Sequence, residues 1–371
     1  MKLSISRETL LKNLRHAQSV VEKRTSIAIL SNVRLKAANN QLETTATNND
    51  ITVQGTAEAF VEQEGATTVS AHKLYDIINK IPEGVMVSIS LNNDGDRLAI
   101  SAGKAKFSLA CLDADAFPDM TRVEGGVAFT MNSANLKRIL SKALFAVSTE
   151  ETRQYLNGVY MHTVSEGDTP QLRFVSTDGH RLARLQIEVP EGAADMQGVI
   201  IPRKTVLELR KLAEECEEIS FNISEKKLQA EAGDITFTSK LIDGTFPDYE
   251  RVIPVDNPKE MDVSKQSLMQ AVDRVSILSH EKSRSIKFGL EEGNLIITAN
   301  NPDQENAVEE VKVEYADDAL DVGFNARYLS EIGGHMEGDD MQFFFKDNTS
   351  PVVVRDPEDA SSLFVVMPMR I

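Results

Sequence analysis

Apolar and polar residues follow a pattern that repeats six times along this chain. In each repeat, a short run of alternating apolar residues ends at a residue that can cap a helix, and an apolar residue stands four positions after the cap. A second apolar residue at the seventh or eighth position completes the period of a helix that buries one face. The six cap residues, at successive intervals of 64, 62, 70, 62 and 61, are Ser6, Ser70, Asn132, Pro202, Ser264 and Asn325. The pattern predicts six short helices, each directly after a strand.

Segments of alternating apolar residues lie between the predicted helices. The runs from Val87 to Leu91 and from Ile219 to Ile223 alternate at period two, which is typical of half-buried strands. Taken in pairs, the six repeats form three larger repeats of domain size, separated by turn-rich segments after Phe117 and Phe246. We therefore predict an α+β fold of three repeated domains, each with two helices on a layer of antiparallel strands. The predicted domains cover residues 1–121, 128–250 and 257–371.

The composition restricts the class of protein. The chain has 371 residues, a hydrophobic share of 41% and no apolar run near the ~18 residues that a membrane helix needs. The first residues lack the apolar region of a signal peptide, so we expect a cytoplasmic protein without a membrane partner. Cys111 and Cys216 lie far apart without a CxxC pair or a histidine cluster, which predicts two buried thiols and no metal site. Because nucleotide-binding glycine motifs are also missing, we expect no cofactor.

Charge is segregated along the chain. A net charge of −17 argues against DNA as a partner, because DNA affinity comes largely from Lys and Arg that neutralise phosphates. The acidic residues concentrate between Ile286 and Asp321, however, whereas basic residues recur on the predicted helices. In the second repeat, the basic positions predicted to be exposed are Lys137, Arg138, Lys142, Arg203, Lys204, Arg210 and Lys211. Either these residues only solvate the helices, or one surface of an acidic molecule is basic.

Five strings of residues, in order, resemble the bacterial DNA polymerase III beta subunit, the beta sliding clamp. They are YLNG at residues 155–158, TDGHRLA at 177–183, FTSKL at 237–241, ITANNP at 297–302 and VVMPMR at 365–370. The resemblance covers the full length. It implies a head-to-tail dimer of three-domain chains that forms a ring, with helices on the inner wall and sheets outside. Twelve helices packed at ~9 Å would leave an opening of roughly 25 Å, through which B-form DNA passes.

The same resemblance implies a function and a set of partners. The protein would be a non-catalytic sliding clamp that encircles double-stranded DNA without reading its sequence and tethers the replicative polymerase. Its partners would be DNA, a second copy of the chain, a clamp loader, and DNA polymerases and other proteins with clamp-binding motifs. A ring holds DNA by topology, so it needs only weak positive charge inside.

Two sets of site residues follow from the resemblance. The DNA-binding set is Arg24, His72, Arg153, Gln154, Tyr155, Arg203 and Lys204. Gln154 stands where the family often has Tyr, and His72 stands where Arg is common. The peptide-binding set is Leu156, Thr177, Gly179, His180, Arg181, Leu182, Pro247, Arg251, Val252, Asn325, Tyr328, Val365, Met367, Pro368, Met369 and Arg370. Methionines adapt to varied apolar ligands, while Arg and His fix polar ends; the alternative is a C-terminal strand buried for stability alone.

The predicted dimer interface joins the first domain to the third. Its residues are Lys73, Ile77, Lys104, Lys106, Phe107, Leu109, Ile277, Leu278, Glu305, Glu309 and Glu310. A basic patch with an apolar centre would face an acidic patch with an apolar centre, as suits a head-to-tail contact. The alternative is that the acidic residues only keep the chain in solution.

Asp178 and His180 are the basis of a competing interpretation. An acid that orients a general base would suit a hydrolase, but no G-x-S-x-G nucleophile motif accompanies them. The structural alternative is a tight turn in which Gly179 takes the unusual dihedral angle. A third possibility is a repeat-built scaffold that never meets DNA.

Overall fold

The computed structural model describes residues 1–118, 123–166 and 169–370, so the predicted domain ends at residues 121 and 371 lie outside it. Within these ranges the chain forms six α-helices, and each begins directly after a predicted cap. They are α1 (Arg7–Val20), α2 (Ala71–Lys80), α3 (Ser133–Leu144), α4 (Arg203–Leu212), α5 (Lys265–Ser276) and α6 (Ala326–Gly333). The side chains of Ser6, Ser264 and Asn325 accept hydrogen bonds from first-turn amides, and Asn132 Oδ1 accepts one from Asn135 at 3.1 Å. Ser70 makes no side-chain cap bond.

The residue four positions after each cap is buried in all six helices. None of these six side chains is more than 2% exposed: Leu10, Leu74, Leu136, Val206, Leu268 and Leu329. The predicted helical face is therefore confirmed.

The strands that the described residues form all pair antiparallel. In chain order they are β1 (Lys2–Ser6), β2 (Asn32–Ala38), β3 (Gln41–Thr47), β4 (Ile51–Glu58), β5 (Phe60–Gln63), β6 (Gly65–Ser70), β7 (Met86–Leu91), β8 (Arg97–Ala102), β9 (Ala105–Leu112), β10 (Val127–Asn132), β11 (Gly158–Glu166), β12 (Thr169–Thr177), β13 (Arg181–Glu188), β14 (Val199–Pro202), β15 (Glu218–Ile223), β16 (Lys227–Ala232), β17 (Ile235–Lys240), β18 (Lys259–Ser264), β19 (Ser285–Glu291), β20 (Asn294–Asn300), β21 (Asn306–Lys312), β22 (Leu320–Asn325), β23 (Asp340–Phe345), β24 (Val352–Arg355) and β25 (Ser362–Val366).

The chain divides into two compact units, and the second predicted domain is split between them. The first unit holds residues 1–137, 190–196 and 207–241. Its strands form one sheet in the order β10-β15-β16-β17-β4-β3-β2-β6-β9-β8-β7-β1-β5, and α1 packs on α2, β3 and β4. The pairing of β17 with β4 carries this sheet from the second predicted domain into the first.

The second unit holds residues 138–189, 197–206 and the chain from residue 242 onward. One of its sheets has the order β14-β11-β12-β13-β25-β24-β23-β18, and the other has the order β21-β20-β19-β22. Helix α5 packs on α6, β20 and β21. Here the pairing of β13 with β25 joins the second predicted domain to the third.

Five helices share one backbone hydrogen bond at their first residue. The N–H of that residue donates to the carbonyl of the residue directly before a strand, and this strand follows the companion helix of the same domain. The pairs, 2.8 to 3.1 Å long, are Arg7 to Val85, Ser133 to Glu217, Arg203 to Asn157, Lys265 to Asp339 and Ala326 to Arg284. These bonds fix five of the six helix starts against the other half of their domain, which gives most of the repeated sequence pattern a structural cause.

Two of these first residues use their side chains to hold the last turn of the companion helix, and a third binds the segment just after it. Arg7 donates to the carbonyl of Asn79 at 3.0 Å, Arg203 to that of Leu144 at 3.1 Å, and Lys265 to that of Met336 at 3.1 Å. Carbonyl groups at helix C-termini lack helical partners and attract cations. Part of the recurrent basic charge is therefore structural.

Burial is predicted wrongly for most of the basic positions and for the two cysteines. Lys137, Arg138, Arg203, Lys204 and Arg210 are half-buried rather than exposed, whereas Lys211 is exposed as predicted. Lys142 is 3% exposed rather than exposed on the helix surface, because its ammonium group donates to Asp359 Oδ2 at 2.6 Å. Cys111 and Cys216 are half-buried free thiols rather than fully buried ones. Among the described residues, no helix is long and apolar enough to cross a membrane, and no cluster of His, Cys, Asp or Glu could hold a metal ion.

Candidate functional site

The predicted peptide-binding residues all lie in the second compact unit, around one buried apolar cluster. Leu156, Leu182 and Val365 belong to this cluster and are at most 4% exposed. Leu182 pairs with Val365 across β13 and β25, so residues far apart in sequence share one sheet face. The other buried members are Val175, Ile200, Phe246, Tyr249, Val353 and Leu363. We call these nine residues the apolar floor.

The turn between β12 and β13 forms one side of the floor. Asp178 Oδ1 accepts hydrogen bonds from the amides of His180 at 2.9 Å and Arg181 at 3.1 Å. Thr177 Oγ1 accepts from the amide of Gly179, whose φ is 90°. Because Asp178 binds the backbone of this turn rather than the imidazole of His180, the turn has the geometry of the structural alternative. His180 itself is exposed.

Arg181 is held by its own protein on several sides. Its guanidinium is paired with Asp178 at 3.1 Å and with Glu331, donates to the Phe145 carbonyl at 2.6 Å, and lies 4.5 Å from the ring centroid of Tyr328. Burial lowers the pKa of Arg181, and Asp178 opposes that shift. The side chain therefore joins the turn to α6, and His180 stacks on the same Tyr328 ring at 6.3 Å.

The segment before β18 closes another side of the floor. Phe246 and Tyr249 point into the floor, and the Tyr249 hydroxyl lies 3.2 Å from Arg173 Nη1 and 3.1 Å from His162 Nε2. Arg173 is fully buried and also binds Glu250 at 2.6 Å. Burial raises the pKa of Tyr249 and lowers that of His162, so burial favours the neutral form of both groups. This network fixes the segment that carries Pro247, Arg251 and Val252, all of which are exposed.

The C-terminal tail runs along the remaining side. The amide of Met367 donates to the carbonyl of His180 at 2.8 Å, and the amide of Met369 donates to that of Gly323 at 2.8 Å. Met367, Pro368 and Met369 are half-exposed, and Arg370 is exposed. The tail therefore offers flexible apolar side chains on a fixed backbone. Asn325 and Tyr328 lie at the start of α6, where the Asn325 side chain serves as the cap.

The predicted DNA-binding residues fall in both compact units. In the first unit, Arg24 is exposed after α1. His72 is half-buried, with Nε2 3.1 Å from the Val21 carbonyl and Nδ1 3.1 Å from Gln18 Oε1. His72 is thus engaged by the end of α1.

The other members of that set lie in the second unit. Arg153 pairs with Glu150 at 2.7 Å, while Gln154 and Tyr155 are exposed. Arg203 is half-buried because it holds the end of α3. Lys204, next to it, is also half-buried.

The predicted dimer residues of the first unit lie on α2 and around β9. Lys73, Lys104 and Lys106 are exposed, and Ile77 and Leu109 are half-buried. Phe107 is 36% exposed.

The predicted dimer residues of the second unit lie after α5 and along β21. Ile277 is 77% exposed, Leu278 is half-buried, and Glu305 and Glu310 are exposed. Glu309 is bound by Arg274, whose hydrogen bond lowers the pKa of that carboxyl. β21 ends its sheet, so one of its backbone edges is open.

Sequence reasoning missed several residues of these sites. One such group is Tyr249 with Arg173 and His162, which together hold the exposed segment over the floor. Sequence reasoning could not find this group, because Arg173 and His162 lie on strands far from Tyr249 in the chain. Val308, 64% exposed on β21, extends the apolar part of the acidic patch. Single exposed apolar residues are common on protein surfaces, so the sequence alone did not mark Val308 as a contact residue.

Three family models match consecutive parts of the chain. They describe the N-terminal, central and C-terminal domains of the DNA polymerase III beta subunit, over residues 1–121, 130–248 and 250–370. The chain is 45% identical to the beta sliding clamp of Caulobacter vibrioides and 39% identical to that of Pseudomonas aeruginosa, with 100% of each chain covered in both comparisons.

Solved structures of sliding clamps are equally similar. A Caulobacter crescentus beta sliding clamp matches with a TM-score of 0.97 and 45% identity, over 100% of this chain and 99% of that one. A sliding clamp from Bartonella birtlesii, solved with griselimycin bound, matches with a TM-score of 0.97 and 41% identity over 100% of both chains.

Proposed function

The chain belongs to the family of DNA polymerase III beta subunits, the beta sliding clamps, and we propose that it closes a head-to-tail dimeric ring around duplex DNA. It is a sliding clamp, a non-catalytic processivity factor, and not a hydrolase built on Asp178 and His180. The observation that carries the function is the match of three beta-subunit domains in order over the whole chain. A clamp acts by keeping a polymerase at high local concentration near the primer end, so that each dissociation is followed by recapture. We place this work in the bacterial cytoplasm, where the chromosome is replicated.

Retention on circular DNA tests the ring. Loaded onto a nicked circular plasmid by a clamp loader, the protein should stay bound through gel filtration at high salt, because topology does not depend on charge. Linearising the plasmid should release it. Salt-sensitive loss from the circle would instead mean ordinary electrostatic binding and would refute the ring.

The proposed DNA contacts are weak and independent of sequence. Exposure and charge support Arg24, whereas Arg153 and Arg203 are partly used by the protein itself. Replacing Arg24 with Ala should lower the rate of loading at moderate salt and leave retention on closed circles unchanged. A loss of retention on closed circles would show that contact, rather than topology, holds the DNA.

We propose that the apolar floor and its borders bind short peptide segments of polymerases and of the loader. The floor supplies apolar area, the tail supplies adaptable methionines, and His180 and Arg370 are exposed at the edge. Deleting residues 367–371 should abolish polymerase stimulation while the dimer survives. Unchanged stimulation would refute this assignment.

The dimer would join the basic patch of one chain to the acidic patch of the other. Both patches combine exposed apolar side chains with opposite charge, and each contains a strand with an open edge, β9 over most of its length and β21 throughout. Glu310 is more available than Glu309, which Arg274 already binds.

A further inference from the structure

In each strand that leads into a helix, every second residue has a backbone that faces away from the strand partner. In an antiparallel pair, hydrogen-bonded and non-hydrogen-bonded residues alternate. In five of the six strands, the hydrogen bond from the first helical residue to the residue before the opposing strand marks a hydrogen-bonded position, so the residue three places earlier points its N–H and C=O outward. We call it the outward residue. Thr68 holds the same place before α2. The six outward residues are Ser4, Thr68, Thr130, Ile200, Asp262 and Gly323.

Five outward residues are covered by another segment of the chain. Asp262 exchanges two backbone hydrogen bonds with Glu314, of 3.0 and 2.8 Å. The other covered pairs are Ser4 with Phe60, Thr68 with Leu112, Ile200 with Ile242 and Gly323 with Met369. A covered strand edge is thus a recurrent feature of the repeats. An uncovered edge can pair with a strand of another chain.

Thr130 is the exception. It lies on β10, the strand at the edge of its sheet, and pairs with Ser220 on β15. The amide of Ser133 donates to the carbonyl of Glu217 in the same β10–β15 register. The outward N–H and C=O of Thr130 therefore face away from β15, and no segment within the described ranges pairs with them. The residue is exposed.

Thr130 is left uncovered because the chain segment before the second cap of this domain differs from its counterparts in the other domains. The interval from Asn132 to the next cap is 70 residues, against 61 to 64 elsewhere. In the first and third domains, the covering residues Phe60 and Glu314 stand 10 and 11 positions before the second cap, and the corresponding residues here are Gly192 and Glu191.

This part of the chain is a turn instead of an extended segment. The amide of Ala193 donates to the Pro190 carbonyl at 3.0 Å, and that of Met196 donates to the Ala193 carbonyl at 3.1 Å. Gly192 packs so closely that an added Cβ would lie 2.5 Å from the Ala128 carbonyl oxygen. The turn thus covers β10 at Ala128 and stops short of Thr130.

We propose that β10 binds an extended, basic segment of a partner protein by β-strand addition at Thr130. The backbone of that segment would make the two hydrogen bonds that Glu314 makes to Asp262 in the third domain. A groove beside the edge is lined by the exposed side chains of Glu191, Glu218 and Ser220, and the stacked rings of Phe129 and Phe221 lie buried beneath it. The two exposed carboxylates beside the edge favour a strand that carries Lys or Arg.

Hydrogen exchange with a defined peptide tests this proposal. The probe is the synthetic peptide KVKVKVK, and EVEVEVE is its charge-reversed control. In the free protein, the Thr130 amide should exchange quickly, while the amide of Asp262 is protected by its Glu314 bond. Saturating KVKVKVK should slow exchange at Thr130 about tenfold or more, and EVEVEVE should leave it unchanged.

Three variants separate strand addition from general attraction to an acidic protein. Thr130→Pro removes the outward N–H, which an edge strand tolerates, and should weaken KVKVKVK binding about tenfold. Thr130→Val removes the hydroxyl but keeps the amide, so binding should remain. If Thr130→Pro fails to fold, Glu191→Gln combined with Glu218→Gln provides a second test, since it should remove the preference for the basic peptide.

Three results would overturn the proposal. The first is a Thr130 amide that is already protected in dilute protein without peptide. The second is equal binding of KVKVKVK to wild type and to Thr130→Pro. The third is protection that rises with protein concentration alone, which would assign the edge to a second copy of this chain. None of these results depends on whether the ring or the peptide pocket is correct.

Discussion

At the scale of single residues, the pair formed by Lys142 and Asp359 shows how the second compact unit uses buried charge. Lys142 Nζ lies 2.6 Å from Asp359 Oδ2 and 2.9 Å from Glu337, and Arg138 reaches the same aspartate at 2.9 Å. Burial raises the pKa of Asp359, but hydrogen bonds from Lys142 and Ser361 outweigh it and hold that pKa well below its ordinary value. The ionised aspartate therefore ties α3 to the loop before β25.

Replacing Asp359 with Asn should destabilise the protein at neutral pH. Removing one partner of a buried pair leaves the other uncompensated, so we expect a loss of about 3 kcal/mol, reduced by the Glu337 contact. The folded pKa lies below the unfolded value of about 3.9, so the stabilisation is present above that pH and is lost as the pH falls through the folded pKa. Urea unfolding should show a difference from wild type that is constant from about pH 5 to 8 and shrinks below about pH 4. The exposed Asp243 provides the control, since Asp243→Asn should change little; a pH-independent difference at Asp359 would contradict the assignment.

Gly158 is a second residue at which the structure leaves no room for a side chain. A Cβ there would overlap the carbonyl oxygen of Ile201 on the paired strand β14, where the backbone cannot move aside. Gly158→Ala should lower the free energy of unfolding by about 3 kcal/mol, the upper end of the usual overpacking cost, because the contact is with backbone. Gly84 has a φ of 75° and nothing within 4 Å of an added Cβ, so Gly84→Ala should cost only the left-handed backbone strain, about 1–2 kcal/mol. Thermal unfolding of both variants checks the order; a smaller loss at Gly158 would show that β11 and β14 can separate there.

Residue roles were the hardest part to predict from sequence. Arg181 and Lys142 have the types of a ligand contact and a solvated helix position, yet both charges are buried against partners distant in the chain. The sequence carries the identity of a charge but not the identity of its partner. For this reason, the proposed roles of Arg153 and Arg203 in DNA binding also stay predictions.

At the scale of elements, the exposed segment before β18 depends on one tyrosine. Its hydroxyl joins Arg173 and His162, so Tyr249→Phe leaves a fully buried guanidinium with one acceptor fewer. We expect a loss of about 1–3 kcal/mol in stability. Because the segment carries Pro247 and Val252, affinity for a fluorescent clamp-binding peptide should fall several-fold.

The matched control for that variant is Tyr315→Phe. The Tyr315 hydroxyl donates to the Asp318 carbonyl at 2.6 Å, away from the apolar floor. This variant should lose stability without losing peptide affinity. Equal peptide affinity in the two variants would mean that the segment does not shape the pocket.

Helices were predicted more accurately than sheets because their signal is local. The caps and the apolar positions lie within one turn or two, and all six helix starts are correct. The pairing of β4 with β17 joins residues about 180 positions apart, as does the pairing of β13 with β25. The sequence of a single strand does not indicate which distant strand it pairs with.

At the scale of the whole molecule, the proposed ring depends on the two dimer patches. Ile277→Asp would place a charge at the apolar centre of the acidic patch and should convert dimers to monomers in sedimentation velocity. Phe60→Asp is the control, because Phe60 is 66% exposed on β5, outside both patches. If Phe60→Asp dissociated the dimer and Ile277→Asp did not, the interface would lie outside the two proposed patches.

Charge reversal provides an independent test of the same contact. Lys106→Glu and Glu310→Lys should each weaken the dimer, since each creates like-charge contacts across the interface. The double variant should recover part of the affinity if the two patches face each other. Additive losses, without recovery, would contradict a head-to-tail arrangement of these surfaces.

The backbone bonds at the helix starts bear on how the protein is synthesised. In the second domain, α3 needs an acceptor that follows α4, and α4 needs one that follows α3; the third domain shows the same exchange. A chain leaving the ribosome with only one half of a domain therefore lacks the groups that complete its first helix turn. Folding on the ribosome should advance in whole domains, although the sequence pattern repeats once in every half-domain.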